Sequence, residues 1–91
     1  MNCSKLFMYV VYDRTANMYT APMLAQNEAC ARRDFKQMMK ETKFSPSEFD
    51  LCKLGFFHPE KATIDYEFEL LENGGAVGFD DEKELLDGSQ Q

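Results

Sequence analysis

The fold class is decided by the stretch TIDYEFELL at residues 63–71. Its side chains alternate, with Ile64, Tyr66, Phe68 and Leu70 at the even positions and hydroxyl or acidic groups at the odd ones up to Glu69. Such alternation is typical of a β-strand, because successive side chains of a strand point to opposite faces of the sheet. We therefore expect a strand here with one buried apolar face and one acidic face.

A second strand pattern lies immediately before this stretch. Residues from Asp50 to Phe57 predict a strand in which Gly55 marks a bulge or a close approach of another backbone segment. The segment from His58 to Lys61 contains Pro59 and predicts the turn that joins the two strands.

The N-terminal part of the chain predicts a hairpin. Lys5 to Asp13 is rich in aromatic and β-branched residues and predicts a strand, and Met18 to Met23 predicts its return strand. Pro22 has no backbone N–H, so it favours the end of that strand or an edge of the sheet. Both faces of the run Leu6 to Tyr12 are apolar, which indicates either a central strand between two layers or a strand in a subunit interface. Because so small a domain gains burial by pairing with a second copy, we expect self-association, most simply as a homodimer.

One amphipathic helix is predicted between the hairpin and the later strands. Asn27 is a suitable N-cap and Glu28 suits the first turn, and apolar residues then recur at helical spacing up to about Lys43. At about 100° per residue, the basic side chains fall in one arc beside the apolar one. The apolar arc contains Ala31, Phe35, Met38 and Met39, and the basic arc contains Arg32, Arg33, Lys36 and Lys40.

These elements in β-β-α-β-β order predict the α+β class, with one helix packed on a small antiparallel sheet. A chain of 91 residues is long enough for one core only. We expect a single domain over residues 1–79 and an acidic, flexible tail over residues 80–91.

The net charge of −6 is unevenly distributed. Residues 1–58 carry eight basic and six acidic side chains (+2), whereas residues 59–91 carry two basic and ten acidic ones (−8). The longest apolar run, Leu6 to Tyr12, is far shorter than the roughly twenty residues of a membrane helix, and no secretory cleavage signal follows it. We therefore expect no membrane segment and a location in the cytoplasm of the cell that makes the protein.

Residue types that commonly carry catalysis or bind zinc are sparse. His58 is the only histidine, and Cys3, Cys30 and Cys52 form no CxxC or Cys/His pair, which predicts reduced thiols, with Cys30 and Cys52 buried, and no zinc site. The chain has no P-loop and no nucleophile elbow. We expect a protein that is not an enzyme and that holds no cofactor or metal.

The acidic row of the alternating stretch is the one feature that favours a metal-dependent nuclease or its regulator. Asp65, Glu67 and Glu69 share a strand face, but side chains at this spacing lie about 7 Å apart and do not converge on one cation. Lys53 on a neighbouring strand is their expected partner.

A series of short local signals between Tyr12 and Gly55 resembles a known family. In this order they resemble the small non-structural protein of the chlamydia-phage-like (gokushovirus-type) microviruses, which are tiny single-stranded DNA phages. The resemblance extends over about two-thirds of the chain and contains no catalytic motif. The signals are Tyr-Asp-Arg at 12–14, Ala-Pro at 21–22, Asn-Glu-Ala at 27–29, Arg-Asp-Phe-Lys at 33–36, Ser-Pro-Ser at 45–47, Phe-Asp-Leu at 49–51 and Leu-Gly at 54–55.

The resemblance implies a protein that is made during infection and is not part of the capsid. It implies a role in genome production in the host cytoplasm, in which the protein binds DNA or the replication complex and switches replication toward single-strand synthesis and packaging. Among the matching positions, Arg14, Arg33 and Lys36 are the natural ligand contacts.

The predicted nucleic-acid surface combines the basic arc with aromatic residues of the hairpin. Cations at successive helical turns, about 6 Å apart, suit a phosphate backbone, and exposed tyrosines suit stacking with the bases of single-stranded DNA. Composition alone favours an ordinary solvated helix face over a binding surface, and it is the resemblance that makes single-stranded DNA binding the leading hypothesis. The predicted contacts are Arg14, Arg32, Arg33, Lys36, Lys40, Tyr9, Tyr12 and Tyr19.

The alternative hypothesis is a homodimeric adaptor that does not bind DNA directly. It would dock on a phage replication or procapsid protein through its apolar strand and its acidic surface. The two hypotheses differ in salt dependence, because phosphate contacts weaken steeply with ionic strength and apolar contacts do not.

Overall fold

The computed structural model describes residues 5–76, which form one antiparallel sheet and one α-helix. The predicted α+β class is confirmed. The predicted domain end at residue 79 and the predicted tail at residues 80–91 lie outside the described residues. In chain order the elements are β1 (Leu6–Asp13), β2 (Met18–Tyr19), β3 (Met23–Ala25), α1 (Glu28–Glu41), β4 (Phe49–His58) and β5 (Thr63–Asn73), with short 3₁₀ helices at Pro46–Glu48 and Gly74–Ala76.

β1 lies inside the sheet, whose strand order is β2-β1-β4-β5. The short strand β3 also pairs with β1, so β2 and β3 share the edge of β1 that faces away from β4. β1 pairs with β4 over its whole length, and β4 pairs in turn with β5. This internal position agrees with the central strand that the two apolar faces of β1 indicated as one possibility.

The return strand predicted from Met18 to Met23 is interrupted. The Thr20 backbone N–H donates to the Val11 carbonyl at 2.9 Å, but the Val11 N–H donates to the Thr20 side-chain Oγ1 at 3.0 Å. A side chain thus replaces one backbone acceptor in the ladder. Pro22, which has no N–H to donate, follows at once, and pairing resumes only at Met23.

Gly55 marks the bulge in β4 that the sequence predicted. The register between β4 and β5 shifts between Lys53 and Gly55, and Gly55 has a φ of 148°. A Cβ atom at this position would lie 2.0 Å from the Asp65 carbonyl oxygen of β5. Only glycine fits here, because both the backbone angle and the close approach exclude a side chain.

The helix α1 begins as predicted at Asn27, whose side-chain Oδ1 accepts a hydrogen bond from the Cys30 N–H at 2.9 Å. It ends at Glu41, two residues before the predicted end, where the Thr42 N–H closes the last turn on the Met38 carbonyl at 3.0 Å. Its apolar side packs on one face of the sheet. The buried core contains Phe7, Tyr9 and Val11 of β1, Ala31, Phe35 and Met39 of α1, and Leu51 of β4.

The other face of the sheet, which we term the open face, has no helix on it among residues 5–76. Cross-strand partners share a face, and Phe57 of β4 is paired both with Leu6 of β1 and with Ile64 of β5. The open face thus includes the even positions of β1 and of β5. Its members are Leu6, Met8, Val10, Tyr12, Tyr19, Leu24, Cys52, Leu54, Phe57, Ile64, Tyr66, Phe68 and Leu70.

The expectation that the alternating stretch buries its apolar face is wrong. Tyr66 is 71% exposed, and Ile64, Phe68 and Leu70 are exposed as well. The single helix covers the opposite face of the sheet, so nothing within residues 5–76 packs over this row. Only the middle of the open face is buried, at Met8, Val10 and Cys52, where neighbouring side chains crowd together.

Candidate nucleic-acid interface

The basic arc of α1 lies on the side of the helix away from the core. The side chain of Arg33 is 75% exposed, and its Nε atom lies 3.7 Å from the Asp34 carboxylate. Lys36 is half-buried and Lys40 is exposed, one helical turn further along. An ion pair this long and this exposed is weak, so the Arg33 guanidinium is available to an anionic ligand.

Arg32 belongs to the same arc but is engaged inside the molecule. Its Nε donates to the Glu28 carboxylate at 2.9 Å and its Nη1 donates to the Glu72 carboxylate at 2.8 Å. Hydrogen bonding to Glu28, followed by the other effects of the two carboxylates, raises the pKa of Arg32 above its ordinary value despite partial desolvation. Because Glu72 lies in β5, this contact attaches the helix to the far strand of the sheet.

Arg14 is likewise engaged. Its guanidinium lies 2.8 Å from Asp50 of β4 and also donates to the Ser47 carbonyl. The Asn73 side-chain amide donates to the same Asp50 carboxylate at 2.9 Å. Arg14 thus joins the end of β1 to β4, to the 3₁₀ helix at Pro46–Glu48 and, through Asp50, to the end of β5.

The predicted stacking role of Tyr9 is wrong, because its ring is part of the core. Tyr9 is 3% exposed and packs beneath α1, and its hydroxyl donates to the Asp34 carboxylate at 3.3 Å. Burial first, and then the neighbouring Asp34 charge, raise the pKa of Tyr9 above 10.0. A buried ring has no free face on which a base can stack.

Tyr12 and Tyr19 lie on the open face, on the far side of the sheet from α1. Their ring centroids are 4.6 Å apart, and the Tyr12 hydroxyl donates to the Asn17 side chain. Tyr19 also packs edge-on against Phe68 of β5 at 6.1 Å. The sheet therefore separates the predicted cations from the predicted stacking platforms, which do not converge on one site.

The open face contains further exposed aromatic residues that were not predicted as ligand contacts. Tyr66 and Phe68 line a shallow pocket of about 310 Å³ together with Val10, Tyr19 and Leu54. The alternation in β5 correctly grouped Tyr66 with Phe68. It could not show that this group faces outward, because periodicity reports which side chains share a face and not which face is covered.

A family model described as Phage ORF5 protein matches residues 6–77, which is most of the chain. The chain belongs to this family. The phage origin expected from the resemblance is thereby confirmed. No curated protein and no solved structure matches the chain.

The match includes every helix and strand described above, so both surfaces of this Phage ORF5 family member lie within the family's own domain. No helix within residues 5–76 is long and apolar enough to cross a bilayer.

The acidic row of β5 in this family member is paired with basic side chains. Glu67 lies 3.3 Å from the Lys53 ammonium, as predicted, and Asp65 lies 2.9 Å from the His58 Nε2 atom. Within residues 5–76, no three His, Cys, Asp or Glu side chains are grouped so that they could hold a metal ion. Asp65 and Glu67 thus each have a basic partner in the part of the chain that the structure describes.

Two of the three cysteines lie within the described residues, and both are free thiols. Cys52 is buried as predicted, and burial first, followed by the Asp50 charge, raises the pKa of its thiol above 9.0. Cys30 is only partly buried. A raised thiol pKa lowers the thiolate fraction at neutral pH, which is the reverse of what a nucleophilic cysteine needs.

Proposed function

We propose that this Phage ORF5 family member binds single-stranded DNA during phage genome replication or packaging. The observation that supports this proposal is the row of basic side chains Arg33, Lys36 and Lys40 along the outer side of α1. The resemblance to the small non-structural protein of chlamydia-phage-like microviruses supports the same role, since those phages package a single strand.

The proposed surface is smaller than the one expected from the sequence. Arg32 and Arg14 each form an ion pair with a carboxylate at 2.8 Å, so neither is offered as a contact to phosphate. The three remaining cations lie on adjacent turns of one helix, about 6 Å apart, which is a spacing that successive phosphates can meet. Binding through phosphate contacts alone is modest and independent of base sequence.

Because the overall charge is −6, general electrostatic attraction to DNA does not drive binding, and contact depends on the local field of the helix. At an ionic strength of 0.15 M, charges more than about 8 Å away are largely screened. The basic row acts within that distance of a bound strand. Asp65 and Glu67 of β5 lie on the same face of the sheet as α1, but each is paired with a basic side chain, Asp65 with His58 and Glu67 with Lys53. We therefore place DNA on the helix side of the molecule.

The experiment measures binding of a fluorescent single-stranded oligonucleotide and of a duplex of equal length across a salt series. Three phosphate contacts give a slope of roughly −2 in log K against log salt for a single strand, because each contact contributes about −0.7. Arg33→Glu is expected to weaken binding about tenfold and to reduce this slope. Lys61→Glu makes the same change of charge in the exposed turn between β4 and β5, and it is expected to have little effect.

Two results would count against the proposal. One is the absence of binding at low salt, and the other is an equal loss of affinity in Arg33→Glu and Lys61→Glu, which would indicate a response to net charge alone. A duplex bound as tightly as the single strand would be compatible with the basic row as the DNA-binding surface but would contradict a preference for single strands.

A second candidate function is the adaptor that contacts a replication or procapsid protein without binding DNA. The exposed apolar row of β5 favours it, since contiguous exposed apolar surface of this kind marks contact sites for proteins. The adaptor becomes the leading function if the oligonucleotide does not bind at low salt.

A further inference from the structure

The open face is an apolar surface that no element within residues 5–76 covers. Six large apolar side chains on it are more than two-fifths exposed, and four of them follow one another at alternate positions of β5. Monomeric proteins rarely expose a contiguous apolar surface of this extent. The six are Tyr19, Leu24, Ile64, Tyr66, Phe68 and Leu70.

We propose that the open face is the interface between two copies of this chain, which pack sheet against sheet about a two-fold axis. In such a dimer the two sheets form a sandwich about 10 Å apart, and the two α1 helices lie on its outer sides. Each copy presents the same surface to the other, so the assembly stops at two chains because neither copy has this surface left to bind a third. This interface is independent of the DNA surface proposed above.

The size of the open face matches what a stable dimer requires. The five strands together contain 34 residues, which at about 3.3 Å rise and about 4.8 Å spacing give a face of roughly 540 Å². Two such faces bury about 1,100 Å² together, which is above the roughly 1,000 Å² that a specific interface should exceed. The roughness of the side chains adds accessible area to this planar value.

The chemistry of the open face favours a protein over a nucleic acid. Its members are apolar or aromatic, and the Arg14 guanidinium at one end of β1 is bound to Asp50. A DNA strand on this face would find rings for stacking but, among the members of the open face given above, no cation for its phosphates. Protein interfaces show a corresponding composition, because charged residues are depleted from their centres and aromatic residues are enriched there.

A second copy is the simplest partner for this face. A different protein would have to present its own uncharged surface of similar size, whereas this chain already carries one. The shallow pocket of about 310 Å³ lined by Val10, Leu54 and Tyr66 gives the face a concavity, and the exposed apolar row of β5 continues beyond it at Ile64 and Leu70. A two-fold axis through this region would bring the exposed row of each copy toward the pocket of the other.

The experiment measures molar mass by light scattering after size exclusion, from about 1 to 200 μM, for the full chain and two variants. The wild type is expected at 21 kDa, which is twice the chain mass of 10.5 kDa. Tyr66→Lys is expected to raise the dissociation constant about 30-fold or more, because a central aromatic residue is lost and a charge is buried. Phe44→Lys replaces an equally exposed aromatic residue outside the sheet and is expected to remain a dimer.

Circular dichroism serves as the control that Tyr66→Lys remains folded, which is expected because position 66 is exposed. Raising the salt concentration is expected to leave the dimer intact, in contrast to DNA binding, and Arg33→Glu is expected to remain dimeric. A wild-type mass of 10.5 kDa at 200 μM would overturn the proposal, as would a Tyr66→Lys variant as dimeric as the wild type. Oligonucleotide binding that Tyr66→Lys abolishes while Arg33→Glu does not would assign the open face to DNA instead.

Discussion

Arg14 and Asp50 form a two-point ion pair across the β1–β4 ladder, with Nε 3.2 Å from Oδ2 and Nη2 2.8 Å from Oδ1. The Asp50 side chain is only 13% exposed, so its carboxylate depends on this guanidinium and on the Asn73 amide for its hydrogen bonds. Paired hydrogen bonds between charged groups are stronger than single ones and fix the geometry of both partners. The pair therefore stabilises the end of the sheet where three elements meet.

Arg14→Ala is expected to lower the free energy of unfolding by about 1–2 kcal/mol, because the Asp50 carboxylate loses its paired donors while it stays mostly buried. Arg33→Ala is the matched control and is expected to change it by less than about 0.5 kcal/mol, since Arg33 has only a long, exposed ion pair. Urea unfolding at one fixed protein concentration measures both. Equal losses of unfolding free energy in the two variants would show that the Arg14–Asp50 ion pair stabilises the fold no more than the exposed Arg33 side chain does.

Gly55→Ala is expected to lower the free energy of unfolding by about 2–4 kcal/mol, because a Cβ atom meets the Asp65 carbonyl oxygen and the backbone angle is strained. Ala62 provides the reverse control, in which a Cβ atom is removed and not added, since this residue has a φ of 58° in the turn between β4 and β5. Ala62→Gly relieves that conformation and is expected to leave stability unchanged or to raise it by less than about 1 kcal/mol. Thermal unfolding of both variants tests this, and a tolerated Gly55→Ala would contradict the close approach of the two strands.

Alkaline pH is expected to destabilise the protein through Tyr9. Its folded pKa is raised, so below pH 10.0 the hydroxyl is protonated in both states and its full contribution is present. As the pH rises above 10.0 the unfolded chain releases the proton first, and stability falls until the folded pKa is passed. Tyr9→Phe is expected to lose about 1 kcal/mol at pH 7 through the hydrogen bond to Asp34.

The same variant provides the test of this pH dependence. Because phenylalanine does not titrate, the difference in unfolding free energy between the wild type and Tyr9→Phe should narrow as the pH rises above 10.0. Urea unfolding at a series of pH values measures that difference. A difference that stays constant over this range would show that Tyr9 has the same pKa in both states.

Local signals in the sequence were sufficient for most of the fold. The Asn27 cap, the bulge at Gly55 and the alternation in β5 each depend on backbone rules that act over a few residues, and each is present in the structure. The interruption at Thr20 was not predictable, because it depends on a side chain that replaces a backbone acceptor in the ladder with β1.

The candidate site was harder to predict because it depends on which face of the sheet the helix covers. β1 is apolar on both sides, so its pattern does not distinguish the buried Tyr9 from the more exposed Tyr12. Similarly, the basic arc of α1 gave no sign that Arg32 reaches Glu72, which is forty residues away in sequence. Contacts between distant segments determine both the burial of Tyr9 and the engagement of Arg32.

The position of β5 at the end of the strand order has a consequence for how far association can proceed. The outer backbone groups of β5 meet no further strand within residues 5–76, and such an edge can recruit other chains into fibres. A second β5 laid alongside would bring Asp65, Glu67 and Glu69 against the same row of another copy, and opposed like charges destabilise a strand pair. Growth of the sheet at this edge is therefore disfavoured at neutral pH, which limits polymerisation through β5.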